Sequence, residues 1–183
     1  MRTLPNIIIT GTPGVGKTNH CEILSRETGL KHISINDIVK ERDCHEGYDE
    51  NFQSWIVDED KLLDSIEDEV KQGGCIIDWH ACELFPKSWI DLVIVLRVDS
   101  TLLYDRLKSR QDGIYLNNIR LQENLDVEIM EVLLQEARDA YDEEIIIELS
   151  SNELDDMDCN IERIKTWFAQ WKMDNTKNDK VMN

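Results

Sequence analysis

Eight consecutive residues near the start of the chain, Gly11 to Thr18, have the types and spacing of a phosphate-binding loop. They read Gly-Thr-Pro-Gly-Val-Gly-Lys-Thr and match the pattern G-x-x-x-x-G-K-S/T. In such a loop the glycines let backbone N–H groups point at phosphate oxygens, the lysine reaches the β and γ phosphates, and the last hydroxyl ligates Mg²⁺. The pattern predicts that Lys17 and Thr18 bind a nucleoside triphosphate and its Mg²⁺.

The same pattern could arise by chance in any loop that carries glycines. The flanking sequence favours a true phosphate loop, because the motif must follow a buried strand and begin a helix. Asn6–Thr10 before it is β-branched and apolar. Ile23, Leu24 and Gly29 after it indicate an amphipathic helix that ends at a glycine.

An acidic residue and a histidine at the end of a second apolar run could complete this chemistry. Asp78 lies where P-loop proteins place a carboxylate that organises Mg²⁺. His80 could orient a water or a phosphoryl oxygen, or it could be a hydrogen-bonded structural histidine. Position alone favours neither role for His80.

Two arginines flank a segment with loop character. Phosphoryl transfer needs cations that offset charge on the moving group, and arginines on a mobile lid usually supply them. Arg110 and Arg120 lie on either side of residues 111–118 and fit that role, although each could be an ordinary surface arginine. The phosphate loop favours the lid role for Arg110 and leaves Arg120 open.

The elements that must position these residues alternate between strands and helices. Continuous apolar runs are typical of parallel strands covered on both faces. The predicted strands are Asn6–Thr10, Lys31–Ile35, Cys75–Asp78, Leu92–Val98 and Ile145–Leu149. The predicted helices are one directly after the phosphate loop, Asn36–Arg42, Asp58–Gln72, Thr101–Arg110, Glu123–Tyr141 and a last one from about Met157. This alternation predicts an α/β fold, a P-loop three-layer sandwich around a five-stranded parallel sheet.

Two stretches do not follow the alternation. Glu46–Trp55 is polar, bears aromatic residues and has no clear periodicity, which makes it a candidate binding loop. The last helix carries an apolar stripe that we expect to pack on the domain, with a docking face for a partner as the alternative. The polar end of the chain predicts a single domain over residues 1–172 and a flexible tail over 173–183.

The composition is that of an ordinary globular domain. With 183 residues, 41% hydrophobic and 32% charged, the chain suits one compact core and is neither disordered nor membrane-inserted in character. The longest apolar runs, such as Leu92–Leu96, are too short to span a bilayer. Met1–Asn6 offers no apolar segment of a signal peptide, so we expect an intracellular protein with no membrane partner.

Cysteine number and net charge restrict the function classes further. Five cysteines with no C-x-x-C spacing fit reduced thiols better than a disulfide framework or a zinc site. The net charge of -18 opposes a phosphate backbone and argues against a broad nucleic-acid surface. A basic protein partner suits this charge, but charge alone favours a simple role in solubility.

Several short motifs together resemble one family. They are Pro5–Thr18, Glu46–Glu50, Ile56–Lys61, Asp78–His80, Phe85–Pro86 and Glu123–Met130. With them the chain resembles the nuclear adenylate kinase isoenzyme 6 family, also called the coilin-interacting nuclear ATPase, over roughly residues 5–171. The Gly-Tyr-Asp-Glu, Val-Asp-Glu-Asp and Asp-Trp-His elements are specific to this branch, whereas many families share the phosphate loop.

The resemblance implies an adenylate kinase-like enzyme with broad nucleoside monophosphate kinase activity and an intrinsic ATPase. It implies that ATP is held at Gly14, Val15, Gly16, Lys17, Thr18, Asn19 and the lid residue Arg110, with a stretch near Asn152 against the adenine. It assigns catalysis to Lys17, Asp78, His80 and Arg110, and Mg²⁺ to Thr18 and Asp78, directly or through water. The monophosphate-binding region would cover about residues 34–57 and the lid about residues 109–123.

The resemblance also implies a role in late small ribosomal subunit maturation, at the stage of 18S rRNA processing. The expected partner is a basic small-subunit ribosomal protein on the pre-40S particle, with indirect or local rRNA contact, in the nucleus and cytoplasm. The net charge of -18 would steer such a partner. Two features depart from the family: the segment from Arg110 to Arg120 is longer than usual, and Lys40 stands where many members carry an arginine.

Two classes of function follow. One is a phosphotransferase in which Lys17, Asp78 and Arg110 act on MgATP and AMP or a related monophosphate. The other is an ATP-hydrolysing assembly chaperone for a basic ribosomal protein, in which His80 and the acidic surface matter most. A kinase for another small metabolite ranks lower, because the specific motifs do not indicate it.

Overall fold

The fold is built on a parallel sheet whose three central strands are buried on both faces. A computed structural model describes residues 2–50, 54–110 and 118–181. The described strands, numbered along the chain, are β1 (Ile7–Thr10), β2 (Lys31–Ser34), β3 (His45–Asp49), β4 (Ser54–Val57), β5 (Cys75–Asp78), β6 (Leu92–Arg97) and β7 (Ile146–Ser150). Five of them form one sheet in the order β2-β5-β1-β6-β7, and every pair in it is parallel. The predicted five-stranded parallel sheet is confirmed.

Helices cover both faces of this sheet. They are α1 (Lys17–Thr28), α2 (Ile35–Glu41), α3 (Glu59–Gln72), α4 (Ser100–Lys108), α5 (Asn118–Ile129), α6 (Val132–Ala140) and α7 (Leu154–Val181). Short 3-10 turns lie at Cys82–Leu84, Lys87–Trp89 and Glu143–Ile145.

Successive residues of β1 point to opposite faces, because side chains alternate along a strand. Ile8 packs in the core beneath α2, α3 and α6, whereas Ile7 and Ile9 pack in the core beneath α1, α4 and α7. All three isoleucines are fully buried. The three-layer sandwich predicted from the apolar runs is therefore confirmed.

The predicted single helix over Glu123–Tyr141 is wrong. The structure has two helices there, α5 and α6, which meet at a break where Glu131 adopts a φ of 57°. The stretch contains no glycine or proline, so the sequence gives no local stop signal. Contacts elsewhere in the fold explain the break, because Glu128 and Glu131 both pair with Arg97 at the end of β6.

The candidate loop Glu46–Trp55 is also corrected in part. Its ends form the hairpin strands β3 and β4, which pair in an antiparallel manner, while residues 51–53 lie outside the described residues. Tyr48 and Trp55 are opposite each other in the register, with ring centroids 5.1 Å apart. Such cross-strand aromatic pairs stabilise a hairpin whose sequence shows no clean alternation.

The last helix is longer than predicted. It begins at Leu154 and continues to Val181, through most of the stretch expected to be a flexible tail. Side chains near the expected end bond back along the helix, as Asn175 does to the carbonyl of Trp171 at 3.1 Å. The stripe carried by Ile161, Ile164 and Phe168 is buried against the sheet, so the expected packing role is confirmed.

Within the described part of the chain, no helix combines the length and apolar character that crossing a membrane requires.

Candidate nucleotide-binding site

The phosphate loop connects β1 to α1, as the motif requires. Gly11, Gly14 and Gly16 have φ values of 144°, 96° and 96°, a region that side-chain-bearing residues rarely adopt. A Cβ atom on Gly11 would lie 2.6 Å from the carbonyl oxygen of Leu96. Glycine is therefore needed at Gly11 both for backbone conformation and for close packing on β6.

Ser151 and Asn160, near the junction of β7 and α7, act with His20 of α1 to hold the second half of the loop. The Ser151 hydroxyl donates to the carbonyl of Val15 at 2.7 Å. The Nδ1 atom of buried His20 lies 2.9 Å from the carbonyl of Gly16, and Asn160 Nδ2 lies 3.4 Å from His20 Nε2. Because a carbonyl only accepts, His20 carries its proton on Nδ1 and accepts at Nε2. We call Ser151, His20 and Asn160 the loop clamp.

Lys17 lies across the mouth of the loop. Its Nζ donates to the carbonyls of Gly11 at 2.6 Å and Thr12 at 3.2 Å. Burial lowers the pKa of Lys17 to about 8, against the opposing attraction of Asp78. The ammonium is thus held among backbone carbonyls where phosphate oxygens are expected to bind.

Thr18 and Asp78 meet beside the loop. The register of β1 and β5 pairs Ile9 with Asp78, which brings the carboxylate next to the first turn of α1. The Thr18 hydroxyl donates to Asp78 Oδ2 at 2.7 Å, and Asp78 is buried. Burial raises the pKa of Asp78, but the neighbouring His32 ring, the Thr18 hydroxyl and the charge of Lys17 outweigh it and hold that pKa below its ordinary value.

The donor set at Thr18 and Asp78 fits Mg²⁺. A hydroxyl oxygen and an ionised carboxylate converge at one point, and both are the hard oxygen ligands that Mg²⁺ prefers. The predicted metal residues are thus brought together.

His80 lies at the carboxyl edge of the sheet, next to the same cluster. Its carbonyl accepts from the Thr10 hydroxyl at 2.8 Å, and its ring packs on Trp79 with centroids 4.1 Å apart. Part of the residue reaches solvent, while the protein around it desolvates the ring. Desolvation by surrounding protein, followed by the charges of Lys17 and Arg120, lowers the pKa of His80 to about 4. His80 is therefore a neutral imidazole at physiological pH.

Both predicted lid arginines act electrostatically on the site. The charge of Arg110 contributes to the lowered pKa of Lys17, after the larger effect of burial. Arg120 does the same for His80, again after desolvation. The ends of the lid segment therefore lie on the phosphate side, whereas residues 111–117 lie outside the described residues.

The remaining predicted nucleotide contacts lie around the loop. Asn19 is exposed in the first turn of α1. Asn152 directly follows Ser151 of the loop clamp, and its Oδ1 accepts from the backbone of Asp99 at 2.8 Å while its carbonyl accepts from Arg106 at 2.6 Å. This places Asn152 on a fixed turn beside the loop.

Sequence reasoning missed a buried carboxylate that joins the loop to α5. Glu128 accepts from the Thr12 hydroxyl at 2.5 Å, from Arg97 Nε at 2.7 Å and from the backbone of Val98 at 3.1 Å. It is 3% exposed. Glu128 lies in a helix rich in acidic residues, so nothing local distinguishes it from solvated neighbours.

Comparison with known proteins shows which families the chain is similar to. A family model described as an AAA domain matches residues 7–131. The chain is 52% identical over 176 residues to the adenylate kinase isoenzyme 6 homolog HBR1 of Candida albicans, which covers 91% of this chain and 69% of that protein. It is 49% identical over 171 residues to the adenylate kinase isoenzyme 6 homolog of Schizosaccharomyces pombe, over 93% of this chain and 95% of that protein.

A third relative and a solved structure are also similar to this chain. The homolog FAP7 of Saccharomyces cerevisiae is 47% identical over 168 residues, which is 91% of this chain and 83% of that protein. A crystal structure of shikimate kinase from Bacteroides thetaiotaomicron gives a TM-score of 0.56 at 15% identity, over 89% of this chain and 97% of that chain. At this identity the likeness shows the fold alone, and that fold is the one described above.

Proposed function

Because the chain belongs to the adenylate kinase isoenzyme 6 family and to the wider AAA domain family, we propose that it transfers the γ-phosphoryl group of MgATP to AMP or a related nucleoside monophosphate. Hydrolysis of ATP, with water as the acceptor, is a second activity of the same site. The observation that carries the proposal is the convergence of Lys17, Thr18 and Asp78 at the mouth of a phosphate loop.

The chain acts mainly by positioning and by charge. Backbone N–H groups of the loop bind the phosphates, and the Lys17 ammonium moves from the carbonyls of Gly11 and Thr12 to phosphate oxygens. Thr18 and Asp78 would hold Mg²⁺, which when bound neutralises charge on the phosphates. Arg110, at the start of the lid segment, offsets charge on the transferred group.

His80 suits the hydrolytic activity. A neutral imidazole can hydrogen-bond a water without adding a positive charge, and the lowered pKa of His80 keeps it neutral. Its exposure at the carboxyl edge of the sheet leaves room for a water or an acceptor.

A second candidate function rests on the net charge of -18. Such a charge steers a basic partner toward the protein and competes with nucleic acid for it. In this reading the protein is an ATP-hydrolysing assembly chaperone for a basic small-subunit ribosomal protein in late 18S rRNA processing, in the nucleus and cytoplasm, and kinase activity is incidental.

One assay separates the two. ADP and inorganic phosphate are measured from ATP alone, with AMP added, and with a basic small-subunit ribosomal protein added. We expect two ADP per ATP consumed when AMP is present. If AMP leaves ADP formation unchanged while the basic protein accelerates phosphate release, the chaperone function replaces the kinase function.

A second test replaces Lys17 of the phosphate loop and uses Lys31, at the amino end of the sheet, as the matched control. Lys17→Ala should lower both activities by at least about 100-fold, because it removes the charge that binds the phosphates. Lys31→Ala, at the start of β2 and exposed, should leave both unchanged. Undiminished turnover in Lys17→Ala would contradict the placement of ATP in the phosphate loop.

A further inference from the structure

Three different metal-ligand types meet beneath the phosphate loop. Cys21 comes from the second turn of α1, His32 from β2 and Asp78 from the end of β5. The ligand atoms of the thiol, the imidazole and the carboxylate all lie within 4.8 Å of one another. Cys21 is fully buried, and the side chains of His32 and Asp78 are 19% and 6% exposed.

One buried nitrogen of this cluster is unsatisfied in hydrogen bonding. His32 Nε2 is buried and has no hydrogen-bond partner among the described residues. It lies 3.5 Å from Asp78 Oδ2, near enough to lower the pKa of that carboxyl, but the contact is too long and poorly aligned to count as a formed hydrogen bond. Buried polar atoms are nearly always paired, so an unpaired ring nitrogen beside a thiol and a carboxylate points to a ligand that all three share.

We propose that Cys21, His32 and Asp78 form a binding site for a thiophilic divalent cation of the Zn²⁺ class. A sulfur, a nitrogen and an oxygen donor suit Zn²⁺, whereas Mg²⁺ takes oxygen ligands and does not select a thiolate. A tetrahedral Zn²⁺ holds its ligand atoms roughly 3.5 Å apart, which follows from its bond lengths. The His32 to Asp78 distance of 3.5 Å already meets this, and the thiol, which lies within 4.8 Å of the other two ligand atoms, needs a shift of at most about 1.3 Å.

The site gives the cation a regulatory effect. Asp78 is shared with the proposed Mg²⁺ position, so Zn²⁺ held by Cys21 and His32 takes the carboxylate away from MgATP. Binding replaces the thiol proton of Cys21, which is released to solvent. The cation is therefore a reversible inhibitor that competes with MgATP, and this second part rests on the proposed function.

Cysteine spacing could not reveal such a site. Its ligands are separated by 11 and 46 residues, as their numbers in the chain give, and only the parallel pairing of β2 and β5 brings two of them together. All five cysteines are free thiols, and the proposed cation at Cys21 departs from the expectation that cysteine spacing fits reduced thiols better than a zinc site.

Binding is tested first without nucleotide. The reduced protein is titrated with Co²⁺, and absorption from a cobalt–thiolate bond is followed, with Zn²⁺ then added to displace Co²⁺. We expect one Co²⁺ per chain with thiolate absorption, lost in Cys21→Ser and kept in Cys159→Ser, whose thiol is exposed. His32→Gln, at a less buried position, should weaken binding at least about tenfold and guards against a folding defect in Cys21→Ser.

The outcomes decide the proposal. Absence of thiolate absorption in the native chain, or equal absorption in Cys21→Ser and Cys159→Ser, overturns the site. Full Co²⁺ affinity in folded His32→Gln overturns it as well.

The proposed inhibition by the cation is tested by measuring ATP turnover. We expect micromolar free Zn²⁺ to inhibit ATP turnover, a chelator to restore it, and Cys21→Ser to resist at least about tenfold more Zn²⁺ while turning over normally without it. Raising MgATP should weaken the inhibition. Inhibition that is equal in Cys21→Ser would contradict competition at this site. Because Co²⁺ binding is measured without nucleotide, its result stands even if the proposed kinase function fails.

Discussion

Lys17 holds its ammonium against two carbonyls of its own loop, and burial lowers its pKa to about 8. Phosphate oxygens favour the charged form much more than those carbonyls do. Nucleotide binding therefore raises this pKa, and above pH 8 the binding step must take up a proton.

This gives a pH dependence with a definite sign. Affinity for ATP should be constant below about pH 8 and then fall, by up to about tenfold per pH unit, as the free protein loses the Lys17 proton. Calorimetric titration with a non-hydrolysable ATP analogue from pH 7 to 10 measures it. Lys17→Arg binds more weakly but stays charged, so its affinity should not change over this range. If the affinity of the native protein changed as little with pH as that of Lys17→Arg, the expectation would be contradicted.

A second residue-scale prediction concerns His80. Its pKa is lowered to about 4, so it should stay neutral from pH 5.5 to 8 and contribute no inflection there. The profile of kcat/KM for ATP hydrolysis, compared in the native chain and His80→Gln, tests this. His80→Gln should keep the profile's shape, while kcat falls because the glutamine amide does not orient the water as the neutral imidazole does. An inflection near pH 6.5 that vanishes in His80→Gln would show a charged histidine instead.

Residues of the site were predictable where a local signal exists. Lys17 and Thr18 belong to one short motif, and Asp78 ends an apolar strand whose carboxyl edge must face the loop. Glu128 and His32 have no such signal. Glu128 reaches Thr12 across 116 residues, so only the assembled fold reveals the contact.

At the scale of elements, Glu128 links α5 to the phosphate loop through its hydrogen bond with Thr12. Glu128→Ala leaves Arg97 short of its buried partner and the Thr12 hydroxyl without an acceptor, so it should lower the free energy of unfolding by about 2–4 kcal/mol. Glu131 also pairs with Arg97, at 3.2 Å, but is exposed. Glu131→Ala should cost less than about 1 kcal/mol. Urea denaturation measures the free energy of unfolding of both variants. Equal losses of stability would contradict the role of Glu128 in linking α5 to the phosphate loop.

Elements were predictable from their own composition. Continuous apolar runs identified four of the five strands, β2 being the exception with its alternating Lys31–Ser34 sequence. Asp58 and Gly73 cap the two ends of α3, and the Asp58 carboxylate accepts from the backbone of Lys61. The break between α5 and α6 was missed because Glu131 is held in a left-handed conformation by tertiary contacts, with no glycine to signal it. The hairpin of β3 and β4 was missed because its sequence shows no clean alternation. The aromatic residues that stabilise it are paired across the two strands, which only the fold reveals.

At the scale of the whole molecule, the net charge of -18 opposes the compact state through self-repulsion. Screening by salt should therefore raise the melting temperature by a few degrees between 20 and 300 mM ionic strength. Differential scanning fluorimetry measures this, with NaCl and choline chloride compared at equal ionic strength. Both salts should give the same rise, because screening does not depend on the cation's identity. A fall, or a rise with NaCl alone, would contradict self-repulsion.

The layers of the molecule were predictable, whereas its long-range ties were not. Alternating strands and helices fix a sheet covered on both faces. They do not say that Ser151 bonds to Val15, because that tie depends on the sheet order that places β7 at one edge and β1 at the centre.

That tie has a consequence for the order in which the protein matures. Ser151 and Val15 are 136 residues apart, and Asn160 lies 140 residues from His20. At synthesis rates of about 5–20 residues per second, the phosphate loop waits roughly 7–27 s for its clamp to emerge. The first motif to be synthesised is thus among the last to be completed, and a nascent chain gains nucleotide affinity only after nearly all of it has been made.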